Sequence, residues 1–181
     1  MEITGLILKS AYLLVPAFAA NMAPVIFRSK FKFLAIPLDF GYVINKKPLL
    51  GKNKTVRGLV MGLIFSVFFA FLQKLALRMP FFREISVLDY SGWLYIGFLL
   101  GFGAIAGDAI ESFFKRRFGI HPGKPWIPFD QTDFVIGSLF CISFYQILGS
   151  RIYLTAIICS FFLHIIVNHF AFYTGIRKEK W

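Results

Sequence analysis

Long runs of apolar residues restrict this chain more than any other feature. Gly5 to Phe27, Val56 to Leu77, Trp93 to about Ile110 and Ile152 to about Tyr173 each approach or exceed the ~20 residues a helix needs to cross a bilayer. Phe134 to Leu148 is shorter and spans only if its polar ends reach the interface. With 57% hydrophobic residues in 181 positions, a water-soluble fold has too little interior to hide them. The expectation is one all-α integral membrane domain over residues 1–181, with about five transmembrane helices. Ala17-Phe18-Ala19 resembles a signal-peptide cleavage site, but the run starts with Glu2 instead of a basic segment and leads into Arg28, so a retained helix is the better reading. Residues 33–44 are too short to span and are broken by Pro37, Asp39 and Gly41, which predicts an interfacial segment.

The distribution of charge gives an orientation. Residues 28–57 hold eight basic side chains, 111–132 hold four and the tail after Gly175 holds three, so one face takes 15 of the 20. Lys and Arg accumulate on the cytoplasmic side, which predicts an external amino terminus and a cytoplasmic carboxyl terminus. A net charge of +11 on so apolar a chain points to anionic lipid headgroups, and no nucleic-acid partner is expected. Cys141 and Cys159 lie in apolar runs without metal-type spacing and read as packing residues. Gly58-x-x-x-Gly62, Gly97-x-x-x-Gly101 and Gly103-x-x-x-Gly107 predict close contact between the second and third spans. The sequence carries no signal for oligomeric state.

Of nine acidic residues, Asp108, Glu111, Asp130 and Asp133 crowd into 26 positions. Asp108, Glu111, Ser112 and Lys115 share one helical face at i, i+3, i+4 and i+7, and Asp130 and Asp133 repeat the i, i+3 spacing. Neutralisation of Lys115, Arg116 and Arg117, or helix capping, is the bland alternative. Asp108 at the edge of an apolar run argues against it, because an ionisable group there needs a partner, water or a metal. Clustered carboxylates suit a hard ion such as Mg²⁺.

A second cluster, Gly51-Lys52-Asn53-Lys54-Thr55-Val56-Arg57-Gly58, stands at the mouth of the second span. Its cations and the free N–H groups of a helix start are phosphate-binding chemistry, although the order is not that of a P-loop. Both clusters map to one membrane face, and Lys124 adds a further cation between the carboxylate pairs. Together they predict phosphoryl or nucleotidyl transfer.

Gly107-Asp108-x-x-Glu111-Ser112-x-x-Lys115-Arg116-x-x-Gly119 resembles the signature of CTP-dependent CDP-diacylglycerol synthases. Pro37-x-Asp39, Lys54-Thr55-x-Arg57-Gly58 and Pro128-Phe129-Asp130-Gln131-x-Asp133-Phe134 resemble the archaeal CDP-archaeol synthase family more closely, over roughly residues 36–137. That resemblance implies transfer of CMP from CTP to a phosphorylated ether lipid in a multi-pass membrane enzyme whose site faces the cytoplasm. It also implies Mg²⁺, with a monovalent cation as a second candidate. Asp108, Asp130, Asp133 and Lys115 are the expected catalytic residues, and Asp108, Glu111, Asp130 and Asp133 the expected metal ligands. Lys52, Asn53, Lys54, Thr55, Arg57, Ser112, Lys115, Arg116 and Lys124 are the expected nucleotide and phosphate contacts. The Pro-Gly-His-Gly-Gly stretch of the bacterial enzymes is absent, which leaves the choice between Asp130 and Asp133 open. The alternatives are a synthase acting on phosphatidic acid, or a small transporter with Ser160, His164 and Asn168 along a polar path.

Overall fold

Identifiable residues set where the helices begin and how closely they approach. The structure, a computed structural model, describes residues 2–121 and 124–175. The Pro122-Gly123 turn and the basic tail after Gly175 lie outside the described residues. Helix α1 covers Ile3–Ile26 and passes through both Pro16 and Pro24. Two short strands, β1 (Val43–Ile44) and β2 (Lys47–Pro48), pair antiparallel as a hairpin. Helix α2 covers Val56–Ala76, and the Thr55 side chain accepts from Gly58 N at its start. Helix α3 (Pro80–Ile85) opens on a proline, where a missing N–H costs nothing. Helices α4 (Trp93–Arg117), α5 (Phe129–Ile142) and α6 (Ser150–Tyr173) complete the bundle.

Among the described residues, four helices are long and apolar enough to cross a membrane: α1, α2, α4 with its preceding turn, and α6. The expected fifth span takes a different form. Helix α5 has 14 residues, which at ~1.5 Å each is shorter than the hydrocarbon core. It starts five residues before the apolar run because Phe129 to Asp133 wind into its first turns. Residues 143–149 carry the chain onward, where Tyr145 Oη donates to Asp89 O and Gln146 Nε2 to Val87 O, beside the start of α4. Helix α5 and this segment together therefore lead from the Gly107 level of α4 back to its start.

Glycines fix the spacing between helices. A Cβ on Gly97 would stand 2.6 Å from Val67 Cα, and one on Gly101 2.6 Å from Ser66 Cβ, so these two bring α4 onto α2 as expected. Gly103 and Gly107 serve a different neighbour. Their added Cβ atoms would meet Gly137 O at 2.4 Å and Asp133 O at 2.2 Å, so they seat α4 against α5. Ser66 and Ser138 donate across these contacts to Gly97 O and Leu100 O. The interior is small: Leu13, Leu14, Ala17, Ala20, Ile96, Leu100, Phe134 and Val135 are almost fully enclosed. Ile64, Phe68, Phe162 and Ile166 stay exposed along the helices, as an apolar lipid surround requires.

Candidate active site

The close approach of α4 to α5 has a chemical result: it sets carboxylates from two helices face to face. Oxygen atoms of Asp108, Glu111 and Asp133 lie within 4.8 Å of one another. Beside them is a cavity of about 100 Å³ lined by Leu50, Gly51, Asn53, Lys54, Asp108, Glu111, Ser112, Lys115, Arg116 and Asp130. Lys54 Nζ reaches Asp108 Oδ1 at 2.5 Å, and Lys115 Nζ lies 2.5 Å from Asp130 Oδ1 and 3.2 Å from Glu111 Oε1.

Asp130 and Asp133 differ in how their oxygens are used. Both Asp130 oxygens are engaged, Oδ1 by Lys115 and Oδ2 by the Trp126 N–H at 2.6 Å. Asp130 therefore orients Lys115 and the segment entering α5, and it is not one of the three clustered carboxylates. Asp133 Oδ1 accepts from the N–H of Phe134, and the residue faces Asp108 across the glycine contact. Glu111 Oε1 faces Lys115 without hydrogen-bond geometry. Such a set of hard oxygen donors fits a divalent cation.

The expected phosphate contacts divide. Asn53, Lys54, Ser112, Lys115 and Arg116 line the cavity, whereas Lys52, Thr55, Arg57 and Lys124 do not. Thr55 is occupied as the α2 cap. Arg57 is turned away: Nη1 donates to Arg28 O at 2.8 Å and Lys30 O at 3.2 Å, closing the end of α1. Lys54 lies in the loop before the Thr55 cap and Arg57 in the first turn of α2, so the two side chains leave the chain from different backbone geometries. Lys52 and Lys124 are exposed. Arg116, only 6% exposed, has Nε and Nη1 without an acceptor among the described residues. These N–H groups are available to an anion in the cavity.

The site also depends on a residue the sequence ties to it only through the family resemblance. Asp39 is buried, and its carboxylate accepts from the N–H groups of Gly41, Leu50 and Gly51. Ile36 O and Leu38 N pair with Val56 N and Lys54 O, so the 36–56 loop is stitched at both ends. Gly51, at φ +98°, takes the left-handed turn that brings Asn53 and Lys54 to the cavity. Burial pushes the Asp39 carboxyl upward, but the N–H groups outweigh it and hold the group below the usual carboxylate range. The signal in the sequence was Asp39-Phe40-Gly41, an Asx turn. Asp39→Asn should therefore destabilise the protein by roughly 1–3 kcal/mol, because an amide cannot accept as strongly. A depressed pKa stabilises fully above the unfolded value of about 3.9 and less as pH falls through the folded one. Melting curves should separate wild type from variant at neutral pH and converge below about pH 4.

The polar stripe of α6 is engaged within the bundle: Ser160 Oγ donates to Gln131 O at 3.0 Å, and Asn168 pairs with His164 at 3.2 Å. The strong charges gather at one end of the bundle, unlike a conduit.

Residues 3–181 match the CarS-like family, described as CDP-archaeol synthase. The CDP-archaeol synthase of Methanocaldococcus jannaschii is 34% identical, over 97% of this chain and 98% of its own. That of Archaeoglobus fulgidus is 32% identical over the same shares. A solved structure described as an intramembrane enzyme for archaeal membrane lipids biosynthesis superposes with a TM-score of 0.73, at 30% identity, covering 90% of this chain and 94% of that one.

Proposed function

The chain belongs to the CDP-archaeol synthase family, and from that membership we propose that its cationic cavity moves CMP from CTP to a phosphorylated archaeal ether lipid, releasing pyrophosphate. The observation that carries the site assignment is the meeting of Asp108, Glu111 and Asp133 beside Lys54, Lys115 and Arg116. Charge balance supports it. Asp108, Glu111, Asp130 and Asp133 outnumber those cations, so alone they leave no surplus to hold two polyanions. A divalent ion on Asp108, Glu111 and Asp133, Mg²⁺ being the natural choice, would reverse that balance and polarise the phosphate oxygens.

The residues then have separable tasks. Lys54 and Arg116 hold phosphate oxygens of the nucleotide, and Lys115, steadied by Asp130, faces the departing pyrophosphate. The lipid phosphate needs no strong base, since a phosphomonoester with a second pKa near 6 is already largely dianionic at neutral pH. One of its oxygens forms a bond to the α-phosphorus of CTP as the bond from that phosphorus to the α–β bridging oxygen breaks, with the electron pair leaving on pyrophosphate. At about 100 Å³ the cavity is below the ~300 Å³ of ordinary ligand pockets, so it receives phosphates while the nucleoside lies over its mouth. The cavity end carries the basic 28–57 and 115–117 segments, which favours a cytoplasmic orientation toward the supply of CTP.

Arg116 gives a test in which two readouts move apart. Arg116→Met should raise KM for CTP about 10- to 100-fold through loss of a buried charged contact. The melting temperature without ligand should change little, because Nε and Nη1 have no acceptor among the described residues to lose and methionine keeps most of the side-chain volume. A merely structural arginine would lower melting and leave KM alone.

The reaction is tested with purified chain, labelled CTP, Mg²⁺ and either the archaeal ether phosphate or phosphatidic acid. CDP-lipid and pyrophosphate should appear in equal amounts, faster from the ether lipid. Preference for phosphatidic acid would favour the bacterial-type reaction, and no product from either lipid would end the proposal.

A further inference from the structure

Residues 27–33 read Phe-Arg-Ser-Lys-Phe-Lys-Phe, aromatic and basic side chains interleaved just beyond α1, and none of them lines the cavity. Phe33 is 73% exposed, Phe31 44%, and Arg28, Lys30 and Lys32 are all exposed. In water such rings would be a liability. They continue the lipid-facing surface of α2: Phe68 packs on Phe69, Phe69 on Phe65, Phe65 on Phe27 at 5.1 Å, Phe27 on Phe31 at 5.9 Å and Phe31 on Phe33 at 6.4 Å. This aromatic file runs from the exposed side of a spanning helix out to the end of the bundle.

The backbone of the segment is held deliberately. Phe31 sits at φ 50°, a left-handed conformation that is unfavourable for a residue with a side chain. Arg57 fixes the carbonyls of Arg28 and Lys30 immediately before it. Strain of this kind persists where the surroundings over-determine it. Here it keeps the Phe31 ring on the file while the chain turns.

We propose that residues 27–33 form a seat for anionic bilayer lipid, with Phe27, Phe31 and Phe33 at the acyl boundary and Arg28, Lys30 and Lys32 on headgroup phosphates. Rings at this depth with cations reaching outward are the arrangement an interfacial segment requires. The occupant is bulk membrane lipid, distinct from the substrate handled in the cavity. Through Arg57 the seat anchors the start of α2, three residues from Lys54.

The test uses the full chain in liposomes without CTP, so that turnover plays no part. A nitroxide on Phe33→Cys, with Cys141 and Cys159 replaced by alanine, should collide more with oxygen than with a water-soluble nickel chelate. One on Asn45→Cys, in the exposed hairpin, should do the reverse. A water-like Phe33 position would overturn the seat. Spin-labelled phosphatidylglycerol, a diester without the monoester that the reaction consumes, should be retained in preference to phosphatidylcholine. Replacing Arg28, Lys30 and Lys32 together by glutamine should cut that preference at least about fivefold, whereas Lys30→Arg with Lys32→Arg keeps it. An unchanged preference in the glutamine variant would overturn the headgroup role.

Discussion

Asp108→Asn and Asp133→Asn should each lower the rate of CDP-lipid formation by about 10³-fold or more, the scale on which loss of preorganised charge stabilisation acts. Asparagine matches the shape of aspartate and keeps one acceptor oxygen, so the variants should fold and purify as wild type does. What is lost is a negative oxygen in a set whose members lie within 4.8 Å of one another. Asp108→Asn also frees Lys54 from its ion pair, so CTP alone should bind no worse than before. Asp130→Asn should behave differently. Its oxygens serve Lys115 and the Trp126 N–H, and losing the charge should cost about 10- to 100-fold, by disordering a cation without emptying a ligand position. Steady-state rates at saturating divalent ion, with melting curves as a fold control, separate these outcomes.

Gly107→Ala should cost about 10²-fold in turnover although Gly107 does not line the cavity, because a shift near 1 Å in reacting groups has effects of that size. The new methyl carbon would stand 2.2 Å from Asp133 O, so α4 and α5 must part at the level where Asp108 faces Asp133. Gly103→Ala, one turn away, would meet Gly137 O at 2.4 Å and should lower melting with a smaller loss of turnover. Gly149→Ala, with nothing within 4 Å, should leave both unchanged. Paired measurements of turnover and melting on the three variants check the gradient.

Much of this arrangement was legible in the sequence, and the limits of legibility have physical causes. Apolar run length located the long helices because lipid leaves the backbone few other ways to satisfy its hydrogen bonds. Helical periodicity placed Asp108, Glu111, Ser112 and Lys115 on one face, and the cavity is lined by those four. Periodicity carries no information about which neighbour a glycine pair approaches, so Gly103 and Gly107 pack on α5 where contact with α2 was expected. The same ignorance of direction grouped Arg57 with Lys54, although the start of α2 falls between them and leaves one on the cavity and the other clamping the end of α1. Composition could not separate Asp130 from Asp133, since the difference lies in the partners each oxygen finds after folding. Asp39 acts through backbone N–H groups from Gly41 to Gly51, a loop closure that side-chain patterns do not encode.

The most direct test of the central claim is Mn²⁺ binding followed by electron paramagnetic resonance in the purified protein, with and without CTP. Wild type should hold one ion per chain, more tightly when CTP is present, and Asp130→Asn should retain it while Asp108→Asn and Asp133→Asn lose it. Wild-type affinity in both of the latter variants would contradict a metal centre shared by α4 and α5.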